Sequence, residues 1–183
     1  MENENPLEAK EKLEELAERR QGWTRYLAIT TALIAVLAAF AALTSGNFAN
    51  NAILKKNEAV LAQSQASDQY NFYEAKGIKK NLADLAYQIT QDPQQQATSE
   101  RYSQEQKTIK KTADADAKMV AAHNLDAEKE LEKHHSEALA VTFFQIAIAL
   151  SAMSALLDRK SFWAFSVGLS ALGSYFLVIG LLR

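Results

Sequence analysis

The sequence contains no cysteine, which excludes disulfide frameworks, thiolate nucleophiles and cysteine-ligated metal sites. Only two prolines and six glycines occur in 183 residues, so little interrupts a long helix. Alternating runs of β-branched residues are missing, and almost no strand is expected. Excess basic charge is missing too. The formal net charge is −2, and a chain without a basic face is not expected to bind nucleic acid. No glycine-rich phosphate cradle is present, and no serine or threonine stands in a triad-like arrangement with His and Asp. These absences make an enzyme unexpected, and the sequence implies no cofactor.

What the chain has is apolar length. Three runs stand out: WTRYLAITTALIAVLAAFAAL from Trp23, ALAVTFFQIAIALSAMSALL from Ala138, and FWAFSVGLSALGSYFLVIGLL from Phe162. Each is about 20 residues, and at ~1.5 Å rise per residue that matches a hydrocarbon core ~30 Å thick. The spacing therefore predicts an all-α membrane protein with three transmembrane helices, over residues 23–45, 138–157 and 162–182. Residues 158–161 form a tight turn. Mean hydropathy is nevertheless slightly negative, which requires a substantial water-exposed part. That part is residues 46–137, between spans one and two. Its pattern predicts a long antiparallel helical hairpin with a turn near 91–97, where Asp92-Pro93 punctuates the chain.

Ahead of span one, residues 1–22 read as an amphipathic helix. Asn5-Pro6 suits its start, Leu7, Leu13, Leu16 and Ala17 form a narrow apolar stripe, and Gly22 suits its end. In the inserted segment, Ala75, Ile78, Leu82, Leu85 and Ile89 are spaced 3-4-3-4, and Ala127, Leu131, His134 and Ala138 follow the same alternation as 4-3-4. Tyr102, Ile109, Ala113 and Val120 form a patchier return stripe, and Gly46 and Gly77 are candidate sites of a bend or close contact. The segment is poor in large aliphatics, so two such helices alone bury little apolar surface against their ordering entropy. A homo-oligomer is expected on that ground.

Charge sets the expected topology. Arg19, Arg20 and Arg25 flank span one, and Arg159 and Lys160 lie between spans two and three. Three spans put both groups on one side, and positive charge favours the cytoplasm. The N-terminus is then cytoplasmic, the hairpin and C-terminus extracytoplasmic, and the location a bacterial inner membrane.

Candidate site residues are few. The spans carry no ionisable Asp, Glu, Lys, Arg or His between their ends, which argues against an ion-coupled transporter. Gln145 is the most polar residue in the apolar interior, suited to a hydrogen bond across a helix interface or to a pore lining. Ser166, Ser170 and Ser174 form a small-residue stripe on span three, suited to close packing within or between subunits. Tyr70, Phe72, Tyr73 and Lys76 in SDQYNFYEAKGIKK form either a packing knot with a charged rim or an interaction patch. His134 and His135 point about 100° apart on a helix, so they do not readily share a metal, and no metal site is expected.

Several segments together resemble a known family: ALIAVLAAFAALTSGNFANNAIL, QASDQYNFYEAKGIKK, RYSQEQKTIKK and FFQIAIALSAMSALLDRKSFWAFSVGL. The chain is similar over residues 23–182 to a bacterial membrane-protein domain of unknown function, serial four-three-three-seven. The resemblance implies the three-span plan and carries no activity. The expected function is a homo-oligomeric membrane scaffold with a coiled-coil-like helical domain, its partners being the lipid bilayer and further copies of itself. An oligomeric channel and an accessory subunit docking another membrane protein are the alternatives.

Overall fold

A computed structural model describes residues 6–182, with every side chain among them except those of residues 6, 8, 9, 13 and 16–21. Three helices account for nearly all of these residues: α1 over Pro6–Thr90, α2 over Pro93–Leu157 and α3 over Lys160–Leu182. Among the described residues only 91–92 and 158–159 lie outside a helix. The chain is all-α, and each helix contains a stretch long and apolar enough to cross a membrane.

Two sequence expectations about helix ends change. The amphipathic segment does not stop at Gly22, because α1 runs through it. A terminating glycine works by adopting positive φ, and no described glycine does so. Asn5 and the side chains of Leu13, Leu16 and Ala17 lie outside the described residues; Leu7 is exposed. The expected seven-residue turn contracts to Gln91 and Asp92. Gln91 closes α1 in the left-handed region, with φ 56°, and its N–H donates to Tyr87 O at 2.8 Å. Asp92 then caps α2: its Oδ1 accepts from Gln94 N–H at 2.9 Å, and Pro93 takes the first helical position. The second turn is also shorter than expected, with Asp158 at φ 53° and α3 already begun at Lys160.

The chain divides into two units, residues up to Phe48 with residues from Glu132, and residues 49–131. In the first, apolar unit, the helices alternate in direction. Phe143 stacks on Phe176 with ring centroids 5.5 Å apart, and Ser151 pairs with Ser166 at 2.6 Å, so contacts run oppositely along α2 and α3. The core comprises Ile34, Ala38 and Ala41 of α1, Ala140, Phe144 and Ala147 of α2, and Leu177 of α3. Its small residues let backbones approach closely, the usual means of joining helices where lipid removes the hydrophobic drive between them. At one end Trp23 meets Trp163 edge-on at 5.2 Å, and Trp163 Nε1 donates to Thr30 Oγ1 at 3.1 Å. Only 22–28% of each helix's apolar window is buried, so most of this surface faces outward, as lipid permits and water does not. These features support a membrane location.

In the second, polar unit, α1 and α2 pair in opposite directions. Lys56 meets Asn124, Tyr70 meets Asp114, Lys76 meets Glu105 and Asp84 meets Ser99. The buried line on α1 is Ala52, Ala59, Ala62, Ala66 and Ala83, met by Ala113 and Ala127 of α2. An alanine seam brings two helices close and leaves room for polar groups at its edges.

Candidate functional site

The most unusual polar constellation lies in the apolar unit, away from its tryptophan end. Glu137 on α2 is fully buried. Its Oε2 lies 2.9 Å from Thr44 Oγ1 of α1, while its Oε1 is the one buried side-chain oxygen without a hydrogen-bond partner among the described residues. One turn earlier on α2, His134 Nδ1 lies 3.0 Å from both Oγ and O of the buried Ser45. Consecutive residues of α1, Thr44 and Ser45, thus serve two residues one turn apart on α2, and i, i+3 spacing places Glu137 and His134 on one face. From α3, Gly180 closes the group. A Cβ there would stand 2.9 Å from both Cγ and Oε1 of Glu137, so only glycine admits the carboxyl at this depth. By the sequence bounds Glu137 is the last residue of the polar segment 46–137, just outside span two. The available signal was positional: Thr44-Ser45 end span one, Glu137 precedes span two, and Gly180 sits in the last turn of span three.

The serine stripe of α3 separates into two kinds. Ser166 is fully buried and donates to Ala147 O at 2.8 Å, which makes Ser151 the donor in their 2.6 Å contact. Ser170 and Ser174 donate back to their own helix, to Val167 O and Ser170 O. Gln145 is exposed on α2. It follows Thr142 and precedes Ala149 and Ala152 on one exposed face of α2.

The aromatic patch is spread over different surroundings. Tyr70 Oη donates to Asp114 Oδ1 at 2.8 Å, and that acceptor holds the phenol proton, moving its ionisation above the usual tyrosine range. Tyr73 offers its carbonyl to Gln106 Nε2 at 3.1 Å, close beside Gly77, where a Cβ would meet Gln106 Nε2 at 2.6 Å. Lys76 Nζ pairs with Glu105 Oε2 at 2.5 Å and lies 5.1 Å from the Tyr102 ring centre. Phe72 alone of the four points away, 59% exposed. The hydrogen bond from Lys76 holds Glu105 below the usual carboxylate range, and those from Lys80 and Ser99 do the same for Asp84. These groups pin α1 to α2.

The 3-4-3-4 stripe of α1 lies elsewhere. Ala75, Ile78, Leu82, Leu85 and Ile89 are all exposed, Ile78, Leu82 and Ile89 to about 70% or more. The residues facing α2 are one or two positions along: Lys76, Lys80, Ala83 and Tyr87 are buried or half-buried. The return stripe does face inward, with Ala113 fully buried and Tyr102, Ile109 and Val120 half-buried. Among the described residues, no three His, Asp or Glu side chains gather as a metal-binding group.

A family model with the description Domain of unknown function (DUF4337) matches residues 23–183. No curated protein and no solved structure matches the chain.

Proposed function

The chain belongs to this family, and from that membership and its surface we propose a homo-oligomeric scaffold of the bacterial inner membrane, self-associating through the exposed stripe of the polar unit. In this arrangement residues 23–45, 138–157 and 162–182 span the bilayer, the N-terminus is cytoplasmic, and residues 46–137 form an extracytoplasmic helical hairpin. The charge bias of Arg19, Arg20, Arg25, Arg159 and Lys160 supports that orientation.

The carrying observation is the uncovered heptad face Ala75-Ile78-Leu82-Leu85-Ile89. The chain's own α2 is already engaged by a different, alanine-lined face of α1. Ile78, Leu82, Leu85 and Ile89 at roughly 1.5–3 kcal/mol each give a gross gain on full burial of about 6–12 kcal/mol. That is comparable with the cost of association, and confinement to one membrane raises the effective concentration. A second copy is the occupant this spacing fits, because a heptad seam packs against the same seam. Gln145 supports the same reading in the apolar unit: an amide facing lipid gains by bonding a neighbouring helix, and Gln pairs with Gln. Catalysis forms no part of this reading.

Native mass measurement of the detergent-solubilised chain tests it. Multimers are expected, reduced to monomers by Leu82→Gln with Leu85→Gln while helical content persists. A monomeric wild type, or a double variant with unchanged stoichiometry, contradicts it.

A further inference from the structure

We propose that Glu137 is a proton-binding site, its carboxyl carried as the neutral acid where α1, α2 and α3 meet. This is independent of self-association. Thr44 Oγ1 lies 2.9 Å from Glu137 Oε2 and 3.1 Å from the carbonyl oxygens of both Phe40 and Ala41. One hydroxyl hydrogen cannot serve all three oxygens. If Thr44 donates to its own helix, the contact with Oε2 needs a hydrogen from the carboxyl. The protonated acid donates to Thr44, Thr44 donates back to Phe40 O or Ala41 O, and the three contacts share two hydrogens.

Oε1 is buried without a donor and faces the backbone of α3 at Gly180. An ionised carboxylate with a bare, desolvated oxygen is among the costliest groups to bury, whereas a carbonyl-like oxygen of a neutral acid costs far less. A methyl carbon at Gly180 would already crowd Oε1 at 2.9 Å, so no shell of oxygen ligands can assemble on that side around a metal cation. A proton needs no such space.

Among the described residues the surroundings offer little to balance an anion. From α1, no ionisable side chain lies between Tyr26 and Lys55. From α3, Tyr175 is the sole ionisable side chain between Lys160 and Leu182, and it is exposed. From α2, Lys133 has its Nζ 5.5 Å from the Phe48 ring, His134 has Nδ1 committed to Ser45, and His135 is exposed. Lys133 and His134, four and three residues before Glu137, are its titratable neighbours along α2.

Infrared difference spectroscopy on the full-length protein in lipid, wild type minus Glu137→Gln at neutral pH, decides between the two states. The proposal expects loss of a carboxylic-acid C=O band that shifts on deuteration. Loss of a carboxylate stretching band instead overturns it. Should Glu137→Gln fail to fold, labelling of the wild type with dicyclohexylcarbodiimide carries the test, read together with its neutral-pH infrared spectrum. In that reaction the acid proton passes to a carbodiimide nitrogen, the carboxylate oxygen adds to the central carbon, and the adduct rearranges by O-to-N acyl transfer to a stable N-acylurea with no leaving group. Peptide mapping is expected to place the adduct on Glu137, with yield falling as pH rises. An unlabelled Glu137 together with no acid band at neutral pH overturns the proposal.

Discussion

Gly173 and Gly180 are where single atoms decide the packing of α3. A Cβ at Gly173 would lie 3.0 Å from Cδ1 and Cε1 of the fully buried Phe144, with no soft side-chain end to yield. Gly173→Ala is therefore expected to destabilise the apolar unit by about 1–3 kcal/mol, the usual cost of overpacking. Gly168, with nothing within 4 Å, is the control, and Gly168→Ala should cost nothing. Denaturing-detergent titration followed by circular dichroism measures both; equal effects would refute the packing argument. The glycines were visible in the sequence, but their roles were not. Gly22 and Gly46 have open space around them while Gly173 and Gly180 each admit a specific neighbour, a distinction that exists only once three helices are assembled. Glu137 was hidden for the same reason, since its burial depends on residues 93 positions before it and 43 after it.

Among the elements, the turn between α1 and α2 and the pairs beside it make separable predictions. Gln91 holds a left-handed conformation that costs a non-glycine residue roughly 1–2 kcal/mol. Gln91→Gly relieves that cost and returns part of it as unfolded-state entropy, for a net gain of about 1 kcal/mol or less. Asp92→Ala removes the cap on Gln94 N–H and should cost about 1 kcal/mol. Opposite shifts in thermal midpoint are expected, and shifts of the same sign would contradict this account of the turn. The ion pairs add a pH dependence. Glu105 and Asp84 are held below the usual carboxylate range by their partners, Lys76 first for the one and Lys80 for the other. A depressed carboxylate stabilises the fold above its unfolded pKa, and that contribution is lost as pH falls through its folded pKa. Amide protection factors between α1 and α2 of the polar unit, taken against the intrinsic exchange rate at each pH, should fall on acidification below the ordinary carboxylate range, and less so in Glu105→Gln. The Asp92-Pro93 break was legible because proline and a capping aspartate act locally. The facing surfaces were not, because periodicity marks the large aliphatics while the chain joins its own helices through alanine on a different face.

For the whole molecule, the three apolar stretches and the all-α class were legible in composition alone, because bilayer thickness fixes a length that few other constraints impose. The proposed assembly rests on the opposite kind of information: a surface left over once the chain has made its own contacts. A scaffold of this kind needs no buried chemistry for its role, and loss of the proton held at Glu137 as pH rises would destabilise the apolar unit without altering the stripe. The absence of cysteine gives the most direct test of self-association. Single cysteines at Leu82, at Leu85 and, as a control on another exposed face, at Gln88 can each be oxidised in intact membranes, where a disulfide forms only if two copies bring Cα atoms within about 7 Å. The account predicts covalent dimers at Leu82→Cys and Leu85→Cys well above those at Gln88→Cys. Monomers throughout, or equal dimer yields at all three positions, would contradict it.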